Sequence, residues 1–219
     1  APLAHDFCFC NNSSITHNNV TVNAAYLFHL VNSSNHNISG NTGVTSTGTA
    51  FSRGFSLNSA SNNSFSYNNI SVVGKGFGVF SIASSFNNSF FGNNISSAQE
   101  SAIQLGNYTG NNNYNNSAVF TNDVISCSAC AYHVFVNQSS SAVFTNVSFN
   151  RSKVLIGNDT TYSPNNLTVQ WYVDVNVTFS NGSAANNIFI NVTNGTYLNQ
   201  FRTNPLIQTG VDGIARYTV

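Results

Sequence analysis

The sequence predicts an all-β protein, in which a parallel β-helix of about six coils precedes a small second β domain. Two observations predict this fold class. A 25-residue unit recurs, because NNSFSYNNIS, beginning at Asn62, is followed by NNSFFGNNIS, beginning at Asn87. Short alternating runs such as GFGVFSIAS fill each unit, and no segment shows helical periodicity. Repeats of this length, built from short strands and turns, are typical of β-solenoids.

A hydrophobic residue follows each asparagine corner, and we predict that these residues form one interior row. The row consists of Val20, Ile38, Ile70, Ile95, Val124 and Val147. Two positions before each member, and on the same strand face, stand Asn18, His36, Asn68, Asn93, Asn122 and Thr145. Stacked coils lie ~4.8 Å apart, so identical amides in this column can hydrogen-bond along the axis. The column therefore predicts an internal asparagine ladder.

The column one position before each hydrophobic residue is predicted to face outward. Its members are Asn19, Asn37, Asn69, Asn94, Asp123 and Asn146. Five of the six begin an N-x-Ser/Thr triplet, the acceptor of N-glycans. We therefore predict an outer row of glycans beside the inner ladder. The alternative is that both columns only supply residues that tolerate left-handed backbone at corners.

Acceptor triplets occur throughout the chain. Beyond the outward column, we predict glycans at Asn12, Asn62, Asn87, Asn107, Asn115, Asn137, Asn166, Asn176 and Asn191. Further triplets begin at Asn11, Asn32, Asn150, Asn158, Asn181 and Asn194. Chance is the competing explanation, because a chain rich in Asn, Ser and Thr forms such triplets without selection.

Charge is scarce, and this restricts the function. Charged residues make up 5% of the chain and the net charge is zero, against roughly 25% charged residues in ordinary soluble proteins. Nucleic acid is not expected as a partner, because phosphate binding needs clustered Lys and Arg. No run reaches the ~18 apolar residues of a membrane helix. Since the chain begins at Ala1 and contains no Met, we expect a processed, extracellular product.

The repeat resembles a known type of protein. NNSFSYNNIS, GFGVFSI and NNSFFGNNIS resemble the right-handed parallel β-helix repeats of NosD-like proteins and of archaeal surface proteins. The resemblance covers about residues 11–160 and implies a right-handed helix. It implies little about function, because β-helices support lyases, hydrolases, adhesins and scaffolds alike.

A different pattern follows residue 163. Longer alternating strands are predicted at 169–178, 187–192 and 214–219, with Gly-containing turns between them. VDVNVTFSNG, NIFINVT and TGVDGIARYTV resemble carboxypeptidase-regulatory-like, immunoglobulin-type β-sandwich repeats. The predicted domains are therefore an N-terminal strand at 1–10, the β-helix at 11–163 and a β-sandwich at 164–219. The sandwich lacks a final strand, which a partner or further chain would supply.

Four cysteines occur in two close pairs. Cys127 and Cys130 are predicted to form a local disulfide, in preference to a zinc half-site or a redox motif. A bond between Cys8 and Cys10 would close a strained ring. These two cysteines are therefore expected to pair with another chain or with residues beyond this one.

No catalytic, metal or cofactor site is expected. The carboxylates fall in different coils or turns, with no paired acids for sugar hydrolysis. The histidines are scattered, although His17 and His36 could meet on adjacent coils. The only covalent additions that we expect are N-glycans.

The N-terminal run places Leu3, His5, Phe7 and Phe9 at alternating positions, on one face of a strand. We expect it to add to the sandwich of the next copy, with Leu3, Phe7 and Phe9 as the subunit contact. Such a head-to-tail contact generates an open filament. The predicted function is a structural subunit of an extracellular, glycosylated filament, sheath or surface layer. The alternative is a carbohydrate-binding or adhesive module, with Phe90–Phe91 or Tyr108/Tyr114 as its aromatic strip.

Overall fold

The chain folds as a parallel β-solenoid of about five turns, followed by a small β unit. This computed structural model describes residues 3–23, 26–46, 52–106, 115–157, 164–190 and 207–218, with the backbone alone for 3–8 and 46. The predicted all-β class and parallel β-helix are confirmed. One short 3-10 turn, Arg151–Lys153, is the helical element of the described residues.

Each turn of the solenoid passes through three parallel sheets, whose strands stack coil upon coil. The first sheet contains β1 (Leu3–Cys8), β4 (Tyr26–Val31), β7 (Ser52–Asn58), β10 (Gly76–Ile82), β13 (Ile103–Leu105), β16 (Val134–Val136) and β18 (Val154–Ile156). The second contains β2 (Ser14–Thr16), β5 (Asn37–Ser39), β8 (Ser64–Ser66), β11 (Asn88–Phe91), β14 (Ser117–Thr121), β17 (Ser141–Thr145) and β19 (Asn166–Gln170). The third contains β3 (Asn19–Asn23), β6 (Thr42–Ser46), β9 (Asn69–Val72), β12 (Asn94–Ser97) and β15 (Val124–Cys127).

The solenoid has about five turns, where the sequence predicts about six. The third sheet ends at β15, and a single bridge from Val124 to Ser148 continues it. The level that holds Val147 therefore adds β17 to the second sheet but no strand to the third, and it does not complete a turn.

All three sheets contribute stacks of apolar side chains to the core, and on the first sheet the aligned residues are Phe28, Phe55, Val79, Ile103 and Val134. On the second sheet the register aligns Ile15, Ile38, Phe65, Phe90, Phe120 and Phe144. The rings of Phe65, Phe90 and Phe120 stack face to face, with centroids 4.6 and 4.5 Å apart. On the third sheet the aligned column is Val20, Gly43, Ile70, Ile95 and Ile125. The coil rise matches the spacing of offset-stacked rings, so each phenylalanine packs on the next.

The predicted interior row is correct for Val20, Ile70 and Ile95 and wrong for the other three members. Ile38 lies in the second-sheet column, because asparagine corners occur on both sides of that sheet. Val124 is 48% exposed, and Ile125 takes its interior place. Val147 is fully buried but stands beside the corner rather than in the column.

The second compact unit spans residues 170–219, whereas the sequence analysis set the boundary at 163/164. Its described strands are β20 (Tyr172–Asn176), β21 (Phe189–Ile190), β22 (Ile207–Gln208) and β23 (Ile214–Thr218). They form two antiparallel pairs, β20 with β23 and β21 with β22. Arg216 and Asp174 join the first pair through a bidentate ion pair with both contacts at 2.7 Å. β20 is shorter than the predicted strand at 169–178, and β21 begins at Phe189 where the prediction placed a start at 187.

The N-terminal strand is part of the solenoid in this chain. β1 pairs in parallel with β4, with Leu3 opposite Tyr26 and Cys8 opposite Val31. It is therefore the first strand of the first sheet and not a separate connector before the first coil. Its opposite edge has no partner strand among the described residues.

Candidate functional site: the outward asparagine rows

The corner between the second and third sheets has the same two-residue design in every coil. Its first residue has positive φ and is His17, Gly40, Tyr67, Gly92 or Asn122. Its second residue is Asn18, Asn41, Asn68, Asn93 or Asp123. The left-handed residue turns the chain sharply, so that the following side chain points along the coil stack.

These second residues form the inner ladder. The backbone N–H and the side-chain Nδ2 of Asn68 both donate to Oδ1 of Asn93, at 2.9 and 3.0 Å. Asn68 Nδ2 also donates to the carbonyl of Ile38 at 2.8 Å. Asn41 makes the same bonds to Asn68, and both amides are buried. Each amide thus satisfies an N–H and a carbonyl of the preceding coil, and its Nδ2 also donates to the ladder side chain of the next coil.

The predicted ladder is correct for Asn18, Asn68 and Asn93. Asn122 is wrong by one position, because it is the positive-φ residue and Asp123 is the ladder member. Thr145 lies at the end of β17, outside the ladder positions. The sequence analysis missed Asn41, because this ladder residue is followed by Thr42 and not by a second asparagine.

A second ladder occupies the corner between the first and second sheets, and it contains His36. The backbone N–H of His36 donates to Oδ1 of Asn63, and Asn63 donates to Oδ1 of Asn88. His36 Nδ1 accepts from the backbone N–H of Ser13 at 3.1 Å. Burial lowers the pKa of His36, so the neutral ring that can accept this bond is favoured. The ladder members Asn63 and Asn88 are the second asparagines of their NNS triplets, and these triplets are the sequence signal for this ladder.

Asparagines next to the ladder residues face outward. Asn19, Thr42, Asn69, Asn94 and Val124 align along the third sheet. Asn12, Asn35, Asn62 and Asn87 share positive φ at the other corner. Within the first row, Asn94 Nδ2 lies 3.2 Å from Asn69 Oδ1. The repeat therefore alternates one buried and one exposed asparagine at both corners.

Most of the predicted glycan acceptors are accessible. Those exposed are Asn12, Asn19, Asn37, Asn62, Asn69, Asn87, Asn94, Asn115, Asn146, Asn166 and Asn176. Asn137 is half-buried, and Asn107 and Asn191 lie outside the described residues. Asp123, predicted to face outward, is buried instead, because it fills the ladder position.

Asp123 is a carboxylate in a column of amides. Its Oδ1 accepts from the backbone N–H and Nδ2 of Asn93, at 2.6 and 2.9 Å, and its Oδ2 accepts from the Thr121 N–H at 3.0 Å. Burial raises the pKa of this carboxyl to about 6, although the three hydrogen bonds act in the opposite direction.

The cysteines divide into a bonded pair and a thiol. Cys127 and Cys130 form the predicted disulfide. Cys10 is a free thiol whose Sγ lies 4.0 Å from His36 Nε2. The side chain of Cys8 lies outside the described residues, as do those of Leu3 and Phe7 of the predicted subunit contact. Phe9, the third member of that contact, is 79% exposed.

The described residues contain no group of three or more His, Cys, Asp or Glu side chains that could hold a metal ion. His17 and His36 are not brought together. The ring of His17 lies over Gly40 of the next coil, within 2.9 Å of where a Cβ would stand, whereas His36 is in the second ladder. Glu100 faces Lys75 at 3.9 Å, and Asp174 is bound to Arg216.

A shallow groove of about 470 Å³ lies on the outside of the third sheet, beside the disulfide. Stacked hydroxyls of Ser71, Ser96 and Ser126 line it, and His133 stands among the lining residues. Burial and then Lys153 lower the pKa of His133. The lining offers hydrogen bonds but no carboxylate.

No protein-family model matches the chain, and comparisons with curated proteins and with solved structures find no match. In the described part of the chain, no helix has the length and apolar character needed to cross a membrane.

Proposed function

We propose that this protein is the structural subunit of an extracellular, glycosylated filament, sheath or surface layer, and that it polymerises head to tail. The observation that carries the proposal is the alternation of buried and exposed asparagines at both corners of the solenoid. The buried members stabilise a rigid rod, and the exposed members present acceptors along its length.

The acceptor rows explain how an almost uncharged rod stays in solution. Only 5% of the residues are charged, and exposed apolar side chains such as Phe9, Tyr67 and Val124 remain on the surface. Glycans at outward positions would cover this surface with hydroxyl groups. A structural role also agrees with the scattered positions of the carboxylates. The buried asparagines, for their part, bond to one another and to the backbone within the ladders.

The proposed contact joins the N-terminal strand of one subunit to the second unit of the next. β1 uses one edge to pair with β4 and leaves the other edge unpaired in the described residues. Among the described residues, the β20–β23 sheet has two strands, and neither has a second partner strand there. Exposed Phe9, with Leu3 and Phe7, would supply apolar contact, and the heterologous geometry would produce an open filament.

The finer assignments are part of this proposal. The repeat pattern favours the NosD-like and archaeal surface type of right-handed β-helix. The strands after residue 170 favour a β-sandwich of the carboxypeptidase-regulatory-like type, completed by a partner strand. The raised pKa of Asp123 and the scarcity of charge suit an acidic medium.

The second candidate is a carbohydrate-binding or adhesive module. Its support is the exposed aromatic pair Tyr67 and Phe91, with ring centroids 5.3 Å apart on the solenoid surface. Phe90, part of the strip first considered, is buried in the core stack, and Tyr108 and Tyr114 lie outside the described residues. Binding on a glycan array by the unpolymerised protein would favour this candidate.

Negative-stain electron microscopy of the native protein tests the proposal. Filaments or sheets are expected, and a variant lacking residues 1–10 should remain folded but fail to assemble. Phe9→Ser should weaken assembly, whereas the matched surface change Phe86→Ser on the solenoid side should not. Monodisperse particles at every concentration, or assembly equal to wild type after the deletion, would exclude this contact.

A further inference from the structure

The exposed aromatic side chains follow a rule that packing does not explain. Six aromatic residues among the described part of the chain are strongly exposed: Phe9, Tyr67, Phe86, Phe91, Phe179 and Phe189. Each precedes an acceptor asparagine by one to three positions. Four of them precede it by two positions, namely Phe9 before Asn11, Tyr67 before Asn69, Phe179 before Asn181 and Phe189 before Asn191. The three positions before the 20 acceptors make up roughly a quarter of the 219 positions, so chance would place few of the six there.

We propose that these exposed rings, apart from Phe9 at the proposed subunit contact, are platforms on which the first sugar of the following N-glycan packs. One face of a pyranose ring carries C–H groups, and an aromatic face is apolar with a negative quadrupole that attracts them. The inference rests on the glycosylation in the proposed function and names the residues that receive the sugars.

The turn at Phe179 shows the arrangement most clearly. Gly182 N–H donates to the carbonyl of Phe179 at 2.9 Å, and Phe179 N–H donates to the carbonyl of Ser183 at 2.9 Å. These two bonds close a tight turn with Asn181 at its tip. Phe179 is 55% exposed although it lies in an ordered turn.

The acceptor amide in this turn is already oriented. Asn181 Oδ1 accepts from the backbone N–H and the hydroxyl of Ser183, at 3.0 and 2.7 Å. The oxygen is thus held toward Ser183, which leaves Nδ2, the atom that carries a glycan, directed away from the turn. In the proposal, a sugar on Nδ2 packs against the exposed ring of Phe179, which is in the same turn.

The same rule applies on the solenoid. The ring of Tyr67 lies against the backbone of Gly92 in the next coil, within 2.9 Å of where a Cβ would stand. Phe91 meets it edge-on. The tyrosine ring is therefore held by Gly92 and Phe91 while 65% of the residue stays exposed, two positions before Asn69.

A double-mutant cycle on the full-length glycoprotein tests the proposal at the turn. The variants are Phe179→Ser, Asn181→Gln and the two combined, with Phe179→Tyr as the conservative variant. The readout is hydrogen exchange of the Gly182 amide. With Phe179 present, the glycan should slow exchange about three- to tenfold, in keeping with an aromatic packing contact. The effect should vanish in Phe179→Ser and survive in Phe179→Tyr.

Sugar proton spectra provide the second measurement. Ring protons of the first sugar on Asn181 should be shifted upfield, and the shift should disappear in Phe179→Ser. The glycan on Asn69 should behave likewise with Tyr67→Asn, a residue that the same corner column already holds at Asn122. A glycan on Asn37, which no Phe, Tyr or Trp precedes within three positions and whose register partners on the adjacent coils are Ser14 and Ser64, is the matched control without a shift.

The outcomes separate this inference from the proposed function. Glycans present on Asn181 and Asn69 but without coupling or shifts would overturn the inference alone. Bare Asn181 and Asn69 beside occupied acceptors elsewhere would do the same. A chain with no glycan at any acceptor would overturn both.

Discussion

At the scale of single residues, Asp123 breaks the asparagine ladder in a way that matters for stability. An asparagine there would have to donate onward from Nδ2, but the next coil presents Val147 at this corner. Asp123 instead directs Oδ2 to the Thr121 N–H. The cost is a buried carboxyl, whose pKa burial raises to about 6. Folding therefore favours the protonated acid.

Because this pKa is raised on folding, the associated stability is complete below the unfolded pKa near 4. It is lost as the pH rises through about 6. We expect the wild type to lose about 2 kcal/mol relative to Asp123→Asn between pH 4 and pH 7. Urea unfolding of both proteins at the two pH values measures this.

The histidines do not disturb this comparison. Burial lowers the pKa values of His36 and His133 below 6.5. The stability that their neutral forms contribute is present above pH 6.5 and is lost as the pH falls toward the lowered values. It is shared by both proteins and cancels in the difference. A difference between the two proteins that stays constant with pH would show that Asp123 does not titrate in this range.

The residues best predicted from sequence were those with a strict local signature. The repeat NNIS places Asn68 and Asn93 inward, Asn69 and Asn94 outward and the isoleucine in the core, as observed. The prediction failed in TNDV, where Val124 is an outward hydrophobic residue. Aligning on Val124 shifted Asn122 into the ladder in place of Asp123. Hydrophobicity alone does not identify the core face when apolar residues also occur on the surface.

At the scale of elements, the ladders satisfy backbone groups that the corners would otherwise leave unpaired. Asn41 accepts at Oδ1 from the N–H and Nδ2 of Asn18, and it donates from Nδ2 to the carbonyl of Ile15 and to Asn68. Replacing it leaves several of these groups without partners inside the corner.

We expect Asn41→Leu to lower the free energy of unfolding by about 3 kcal/mol or more, because buried polar groups would lose their partners. Thr42→Leu, on the adjacent exposed position of the same strand, should change stability by about 0.5 kcal/mol or less. Chemical denaturation of the two variants measures the contrast. Equal effects would mean that the ladder contributes little.

Close approach between coils imposes a different requirement on the first sheet. A Cβ on Gly78 would lie 2.4 Å from Ile95 Cγ2 and 2.6 Å from the carbonyl oxygen of Ala102. We expect Gly78→Ala to destabilise the solenoid by about 1–3 kcal/mol, because the backbone would have to move.

Gly182→Ala serves as a comparison in open space, since nothing lies within 4 Å of its Cβ position. Its positive φ makes some cost unavoidable there as well. Thermal unfolding should therefore show a larger loss for Gly78→Ala. A smaller loss at Gly78 would contradict the packing argument.

The corners explain why the six residues of the predicted interior row do not form one column. The corner between the second and third sheets always takes two residues, whereas the other connections vary in length. Asparagine pairs occur at both corners of the second sheet, so a marker defined by its asparagines mixes the two. Ile38 belongs to one corner and Val20 to the other.

At the scale of the whole molecule, the solenoid behaves as a stack whose coils contact only their neighbours. Asn63 and Asn88 occupy equivalent positions 25 residues apart, as do Asn68 and Asn93. Removing residues 62–86 would place Asn87 where Asn62 stood and bring β11 into the register of β8. The ladders would continue across the junction.

We expect this deletion to give a folded, cooperative protein with an unchanged β-type circular dichroism signal per residue and a lower melting temperature. A deletion of half that length, residues 62–74, would shift core positions out of register and should not fold. Circular dichroism and thermal melts distinguish them. Loss of the β-type spectrum in the full-coil deletion would contradict the description of the solenoid as a stack whose coils contact only their neighbours.

The second unit was the least predictable part of the fold. Its alternating strands and turns were recognised, yet the chain from Asn166 to Val169 continues the solenoid as part of β19. An alternating pattern fits both a solenoid strand and an antiparallel one, since each has one buried face. Sequence alone therefore does not locate the boundary between the solenoid and the second unit.

Stacking along an axis also determines how the chain would respond to a mechanical pull. Between coils the backbone hydrogen bonds run nearly parallel to the axis, so tension along it opens the bonds of the end coil a few at a time. Each coil of about 25 residues that unwinds exchanges ~4.8 Å of rod for roughly 80–90 Å of extended chain. The solenoid would therefore act under load as an extensible element that lengthens coil by coil and rewinds when the tension is released.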